Sequence, residues 1–558
     1  MTLPPEENDG KWGARRARLV AGGLGLVFCV IVGRAAQVAL FSGHPPPNAP
    51  PTSTETPAAM RADIVDRRGQ ILATNLPAWN LSADPRAVWN ATEVAQGVNS
   101  VLTDVNIAEL SQKLSDRERA FVPIKSRITP PQRRALMELG LEGLHFEEET
   151  RRVYPSGRLA GHLLGFTNAA GRGAEGAEYA FDEQLRTGGE PVRLTLDAGV
   201  QFALEDEILK AQDEFTMQGA AGIVIDASNG AIRAMASWPM VDPNKPGQRP
   251  EGERKNRALG EVYELGSIFK PLTVAAALEA GVLGLNDRFD VSQPIRIGSR
   301  ALHDDHMLEH PRSVSVTDIL AFSSNVGTVQ IAQRIGAQRQ RDFLDRMGLL
   351  SRLSYNGPQA GAPLTPADWS PLTSATVAYG HGIAVSPLSL AMAYVPFANG
   401  GEYLRPSLLE PVDPDQAQRR RVMAAPTARI VVEMMRETVT RGTGRLADAP
   451  GWEVAGKTGT AEKSTPDGGY DPLHNITSFA AVFPASRPQF VVLIVLDDAQ
   501  PRTGDVRTAS VTAAAIAGRL ITRAAPLLDV EPVTRAPAAE ARDERRPVLT
   551  PVVESRPL

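Results

Sequence analysis

Ser267 and Lys270 stand three residues apart at the start of an apolar run, Leu272 to Leu278. With helical character, that spacing puts hydroxyl and amine on one helix face, one turn apart. A hydroxyl beside an amine is a nucleophile beside a base. Pro271 marks the helix start, because the first backbone N–H groups of a helix lack intrahelical partners and proline is tolerated there. Ser267 then sits at the positive end of the helix dipole, where a developing oxyanion is stabilised. The spacing is cheap by itself, and an exposed helix start is the plain alternative. Two facts strengthen the chemical reading: lysine is scarce against a large excess of arginine, and Ser267/Lys270 is the one Ser-x-x-Lys in the chain. Arginine does not give up its proton to act as a base, whereas a buried lysine can.

Two further motifs make a constellation. Ser323-Ser324-Asn325 reads as a loop or helix cap, and Lys457-Thr458-Gly459-Thr460 follows Trp452 to Gly456 on a predicted strand. A cap and a strand end are their bland readings, and Ser354-Tyr355-Asn356, a turn before Gly-Pro, repeats the Ser-x-Asn pattern without chemistry. All three motifs in this order, on helix start, loop and strand, are far harder to obtain by accident. His303, Asp304, Asp305, His306 and His310 offer metal-ligand types at plausible spacing, but such clusters near a loop are more often polar framework, so neither metal nor cofactor is expected.

The elements that must position these residues follow from patterning. Gly222 to Ala236 reads as a hairpin across Asn229-Gly230. Helical patterns fill most of 267–445, strand signals return at Trp452 to Thr460 and at Ser478 to Phe483 paired with Phe490 to Leu496, and Val506 to Ala525 closes as an amphipathic helix. Strands at both ends of a helical insert imply an α+β domain: an antiparallel sheet with helices on both faces and a helical subdomain. Upstream, the run from Ala62 to Ala73 reads as two short strands about a turn ending at Gly69.

The 558 residues leave room for two to four domains. Residues 1–18 form a short polar tail ending in basic residues; 19–41 are apolar except for Arg34 and Gln37, long enough to span a bilayer. The basic flank places the N-terminus in the cytosol and the rest outside, and an uncleaved anchor is favoured over a signal peptide because apolar character resumes after Arg34. A proline-rich linker (42–59), a mixed pedestal (60–190), a catalytic domain (191–528) and a disordered tail (529–558) follow. A net charge of −5 without a basic field argues against nucleic acid, and the single Cys29 excludes a disulfide framework within one chain.

The Ser-x-x-Lys, Ser-x-Asn and Lys-Thr-Gly set is that of penicillin-binding proteins and serine β-lactamases, and its order and spacing resemble the class B penicillin-binding proteins. Arg61 to Leu76, Arg152 to Gly157, Leu164 to Phe166 and Gly173 to Leu185 resemble that family's pedestal motifs. Val192 to Asp197, Gly380 to Pro387 and Ala398 to Gly401 resemble stretches of its transpeptidase domain, so the likeness covers about residues 60 to 525. Ala62, Ala177 and the long proline linker depart from the pattern without touching the site. Phe479 to Asp498, with Tyr263 to Ser267, look like the septal, cell-division branch more than the elongation branch.

The resemblance implies a peptidoglycan D,D-transpeptidase and target of β-lactams, with Ser267 as nucleophile, Lys270 as base, Ser323 as proton relay and Asn325 as positioning group. It implies carboxylate binding by Lys457, Thr458 and Thr460, room at Gly459 for substrate on the strand edge, and an oxyanion hole of the Ser267 and Thr460 N–H groups. It also implies an inner-membrane location at the septum and a polytopic glycosyltransferase partner with other division proteins. A D,D-carboxypeptidase or β-lactamase, for which no deacylating carboxylate is assignable, and a non-enzymatic sensor or scaffold are the alternatives.

Overall fold

The computed structural model describes residues 61–304, 313–412, 419–465, 469–503 and 508–533, with Phe28, Cys29 and Val32. The anchor expected over 19–41 falls almost wholly outside these, as do the linker, the tail beyond 533 and the 305–312 part of the histidine cluster. Among the described residues no helix is long and apolar enough to cross a membrane.

The first region is a sheet around one long strand. β1 (Ile64–Val65) turns at Gly69 into β2 (Ile71–Ala83), as the sequence pattern suggests. After α1 (Ala91–Val101) and α2 (Ile107–Ser115), β3 (Val122–Ile128), α3 (Pro130–Glu138) and β4 (Leu144–Val153) complete it. β4 runs antiparallel to β2 over its length, from Thr74↔Val153 to Ala83↔Leu144, and β5 (Val192–Arg193) adds in parallel to β1. Asn90, Asn106 and Thr129 cap the three helices by accepting backbone N–H bonds that would otherwise be unmet. Leu81, Val94, Val98, Leu110, Leu114 and Ile128 make a core of their own for its far end.

Near the base of this sheet the motifs carrying Arg61, Arg152 and Glu178 converge on one carboxylate. Glu178 is fully buried and accepts from Arg61 Nε at 2.6 Å, Arg152 Nε at 2.7 Å and the Tyr154 hydroxyl at 3.3 Å.

The second region runs through α4 (Ala198–Glu214), β6 (Gly219–Asp226), β7 (Ile232–Trp238), α5 (Lys270–Glu279), α6 (Val316–Ala321), α7 (Asn325–Ile335), α8 (Pro387–Ala398) and α9 (Ala425–Thr440). It ends with β8 (Ala455–Ser464), β9 (Tyr470–Phe483), β10 (Phe490–Asp497) and α10 (Ala513–Leu527). The strands form one antiparallel sheet in the order β8-β9-β10-β6-β7, which among the described residues leaves the outer edge of β8 without a partner strand. Because side chains alternate, Ile223, Ile225, Leu493 and Val495 face the side covered by α8, while Val224, Val492, Ile494 and Phe483 face the side covered by α4 and α10. Helices on both faces explain why these strands are apolar throughout, as do the roughly 1.5–3 kcal/mol gained per large apolar side chain buried.

The hairpin across Asn229-Gly230 and the β9–β10 pairing follow the sequence pattern. β9 begins eight residues before the predicted Ser478, where Tyr470 and Asp471 pair with Ser464 and Lys463 beyond the core. The closing helix starts at Ala513, and Val506, where the pattern begins, lies outside the described residues.

Candidate active site

Each motif reaches the site by a different local device. Gly266–Phe269 forms a turn of 3-10 helix that runs into α5, with Pro271 in the first turn, so Ser267 lies at the helix entry. Gly266 has φ +60°, and a Cβ there would lie 2.7 Å from the Thr460 carbonyl oxygen; only glycine lets this turn approach β8 so closely. Gly459 works from the strand side: its missing Cβ would fall 2.4 Å from the Leu265 carbonyl oxygen. Behind the turn, Tyr394 of α8 donates to the Ile268 carbonyl at 2.6 Å and Ser478 of β9 to the Leu265 carbonyl at 3.1 Å.

Ser323 lies between α6 and α7 in the left-handed region at φ +63°, which is costly for a residue with a Cβ and is upheld by both neighbours. Ser324 caps α7 by accepting from the Gly327 N–H at 2.9 Å, so the middle serine is structural. Its hydroxyl donates to Asp304, whose other oxygen accepts from the Val326 N–H, both at 2.8 Å. Asn325 donates through Nδ2 to the His303 carbonyl at 3.2 Å. His303 and Asp304 therefore brace the Ser-x-Asn loop, in line with the framework reading.

Lys270 and Lys457 are fully buried. Lys270 Nζ donates to the Ser323 carbonyl and to the Ser323 hydroxyl, the latter at 3.1 Å, which joins the first motif to the second. Lys457 Nζ donates to its neighbour's carbonyl, Thr458 O, at 3.0 Å. Along β8, Thr460 and Glu462 are exposed while Lys457, Gly459 and Ala461 point inward. Ser267, Ser323, Asn325, Thr458, Thr460 and Glu462 line one cleft of about 430 Å³.

Several lining residues were invisible as site residues in the sequence. Thr443, after α9, shares a 2.6 Å hydrogen bond with Thr458 through their hydroxyls, and Thr460 Oγ1 accepts from the Ala509 N–H at 3.3 Å. Tyr379 and His381 enter on a loop tied to the serine turn by the Gly266 N–H, which donates to Gly380 O at 3.2 Å. Only the Gly380-His381-Gly382 glycines hinted at a turn that approaches another backbone.

A hydroxyl at a helix entry, a buried amine joined to a second hydroxyl, and a strand edge beside them are the parts that serine acyl transfer on an edge-paired peptide requires. A family model described as penicillin binding protein transpeptidase domain matches residues 220–521, and one described as penicillin-binding protein dimerisation domain matches residues 56–190. A protein of Caulobacter vibrioides described as a probable peptidoglycan D,D-transpeptidase FtsI is 40% identical over 486 residues, 84% of this chain and 82% of that protein. The peptidoglycan D,D-transpeptidase FtsI of Escherichia coli K12 is 31% identical over 475 residues, 79% of each. The crystal structure of penicillin binding protein 3 from Mycobacterium tuberculosis with aztreonam superposes with a TM-score of 0.66 at 26% identity, covering 85% of this chain and 97% of that one. The chain belongs to the class B penicillin-binding proteins, in their septal D,D-transpeptidase branch.

Proposed function

We propose that Ser267 takes the acyl group of the penultimate D-Ala of a peptidoglycan stem peptide and passes it to an amine of a neighbouring stem, cross-linking the wall during septal synthesis. One observation carries this reading: Ser267, Ser323, Asn325, Thr458 and Thr460, from three distant stretches, share one cleft, with Lys270 joined to Ser323 behind it. Lys270 accepts the Ser267 proton as the Oγ–C bond forms. Negative charge on the carbonyl oxygen is held by the Ser267 and Thr460 backbone N–H groups. As the C–N bond breaks, Ser323 relays a proton to the departing D-Ala amine. Asn325 positions Lys270 and the substrate amide. Lys457, Thr458 and Thr460 bind the terminal carboxylate, and Gly459 lets the peptide pair with the edge. The acceptor amine then attacks the ester, and one of its protons returns through the same groups to Ser267. A β-lactam acylates the same hydroxyl, but its amine stays tethered and does not leave.

This reading divides the chain into an anchor at 19–41, a linker at 42–59, a pedestal at 60–190 and a transpeptidase domain at 191–528, with the catalytic part outside the inner membrane. A polytopic glycosyltransferase would engage the anchor and pedestal. Labelled penicillin and a stem-peptide thioester with a D-amino-acid acceptor test the activity on the full-length protein. Labelling and transfer, both abolished by Ser267→Ala, are expected; labelling that survives Ser267→Ala would remove the assignment.

A further inference from the structure

Ser478 is fully buried within β9, directly opposite Gly459 of β8 in the sheet register. Side chains of directly paired residues share a face, so its hydroxyl stands where Gly459 has no side chain. A Cβ on Gly459 would lie 2.5 Å from Ser478 Oγ and 2.4 Å from the Leu265 carbonyl oxygen. The glycine leaves room for one of the protein's own hydroxyls to reach the serine turn.

That hydroxyl has two acceptors, one on the serine turn and one on β8. Ser478 Oγ lies 3.1 Å from Leu265 O and 3.3 Å from Gly459 O, and its single proton is shared between them. Leu265 O belongs to the same peptide unit as the Gly266 N–H, which donates to Gly380 O at 3.2 Å, so this unit is held at both ends just before Ser267. Gly459 O belongs to the same peptide unit as the Thr460 N–H. The Thr460 carbonyl oxygen faces Gly266, 2.7 Å from where a Cβ would stand, and on an extended strand a residue's N–H and C=O leave by the same side. The Thr460 N–H therefore points toward the serine turn, while Gly459 O, trans to it across the planar peptide, points back to β9 and Ser478.

We infer that the Ser478 hydroxyl is a positioning group for the oxyanion hole: through Gly459 O it fixes the aim of the Thr460 N–H, and through Leu265 O it fixes how the Ser267 turn stands against β8. This rests on the acyl-transfer reading, in which the Ser267 and Thr460 N–H groups hold the charge on the reacting carbonyl oxygen. A hydrogen bond accepted at an amide oxygen also strengthens donation from the N–H of the same amide. Being fully buried, Ser478 acts only through the peptides it holds. A serine that merely filled space would yield to cysteine with no change in the chemistry.

The test uses the full-length protein in detergent and a fluorescent penicillin, with stopped flow separating the precovalent dissociation constant from the limiting acylation rate. A boronic acid that forms a tetrahedral adduct on the serine gives a second reading, because one of its oxygens occupies the oxyanion hole. In Ser478→Ala the limiting rate and the boronate affinity should both fall about ten-fold, less than the roughly 100-fold or more that follows outright removal of an oxyanion donor. The precovalent constant should stay within about two-fold, since no oxyanion exists before the bond forms. Ser478→Cys keeps nearly the same size with a much weaker donor and should track alanine; it carries the test alone if the alanine protein does not fold. A limiting rate or boronate affinity that holds in the variants, a loss confined to the precovalent constant, or full activity with cysteine overturns the role of Ser478 and leaves the catalytic assignment standing. Wild-type protein that penicillin does not acylate overturns the assignment itself.

Discussion

Replacing Gly266 by alanine tests the close approach on which the catalytic geometry depends. The residue has φ +60°, and an L residue pays roughly 1–2 kcal/mol to adopt that conformation. Its new Cβ would stand 2.7 Å from Thr460 O, 0.7 Å inside the 3.4 Å at which ordinary contact begins. The oxygen belongs to strand backbone and does not swing away as a side chain would, so relief must separate the serine turn from β8 by most of that distance. Misplacing a reacting group by ~1 Å costs about 100-fold in rate. A 0.7 Å separation therefore predicts a loss of roughly 10- to 100-fold in the second-order rate of acylation by a fluorescent penicillin. Stopped-flow acylation measures this, and thermal denaturation of the same preparation shows that the fold persists. A folded Gly266→Ala protein that acylates within two-fold of wild type would refute the claim that this contact sets the reacting distance.

The pedestal and its junction give two further expectations. Glu178→Ala leaves Arg61 and Arg152, with side chains only 8% and 5% exposed, without their shared carboxylate. Breaking a buried ion cluster costs about 3–5 kcal/mol, and Asp182, 2.6 Å from Arg61, moves the expected loss toward the lower figure. Urea unfolding reads it; a change below about 1 kcal/mol would contradict the buried-cluster account. Glu205 of α4 accepts from the Ala160 N–H at 2.7 Å and from Gln201 at 2.7 Å, and burial pushes its carboxyl up to about 7. The folded form then holds more protons than the unfolded one between the ordinary value of 4.5 and about 7, so this group's contribution falls as pH rises through that window. Glu205→Gln should flatten the stability profile there, and an unchanged slope would argue that Glu205 does not titrate in that window.

The residues that meet in the cleft were legible as candidates because their patterns are local in sequence: a serine one turn from a lysine, a helix-cap triplet, a Lys-Thr-Gly on an apolar strand. Pro271 and Asn229-Gly230 announced a helix start and a hairpin by the backbone conformations they favour. Thr443, Tyr379, His381 and Glu462 were not legible as cleft residues, since each acts through a partner brought near by the fold. Ser323 offers no sign that it sits at positive φ, because the helices on either side impose that conformation. The first turns of β9 escaped notice because Tyr470 to Asn475 extend past the core, where no apolar alternation marks a strand. Resemblance marked the pedestal stretches that carry Arg61, Arg152 and Glu178, but only the fold shows the three residues as one unit.

The unpaired rim of β8 bears on how resistance to antibiotics can arise. A drug that seats itself there grips amide and carbonyl groups that every amino acid shares, so no single codon change deletes those contacts. Escape must instead tilt the strand, crowd its approach, or alter flanking side chains such as Thr443 and Glu462, and each of these also disturbs the peptide that the rim evolved to hold. The main-chain edge thus ties survival against an inhibitor to the upkeep of the wall itself.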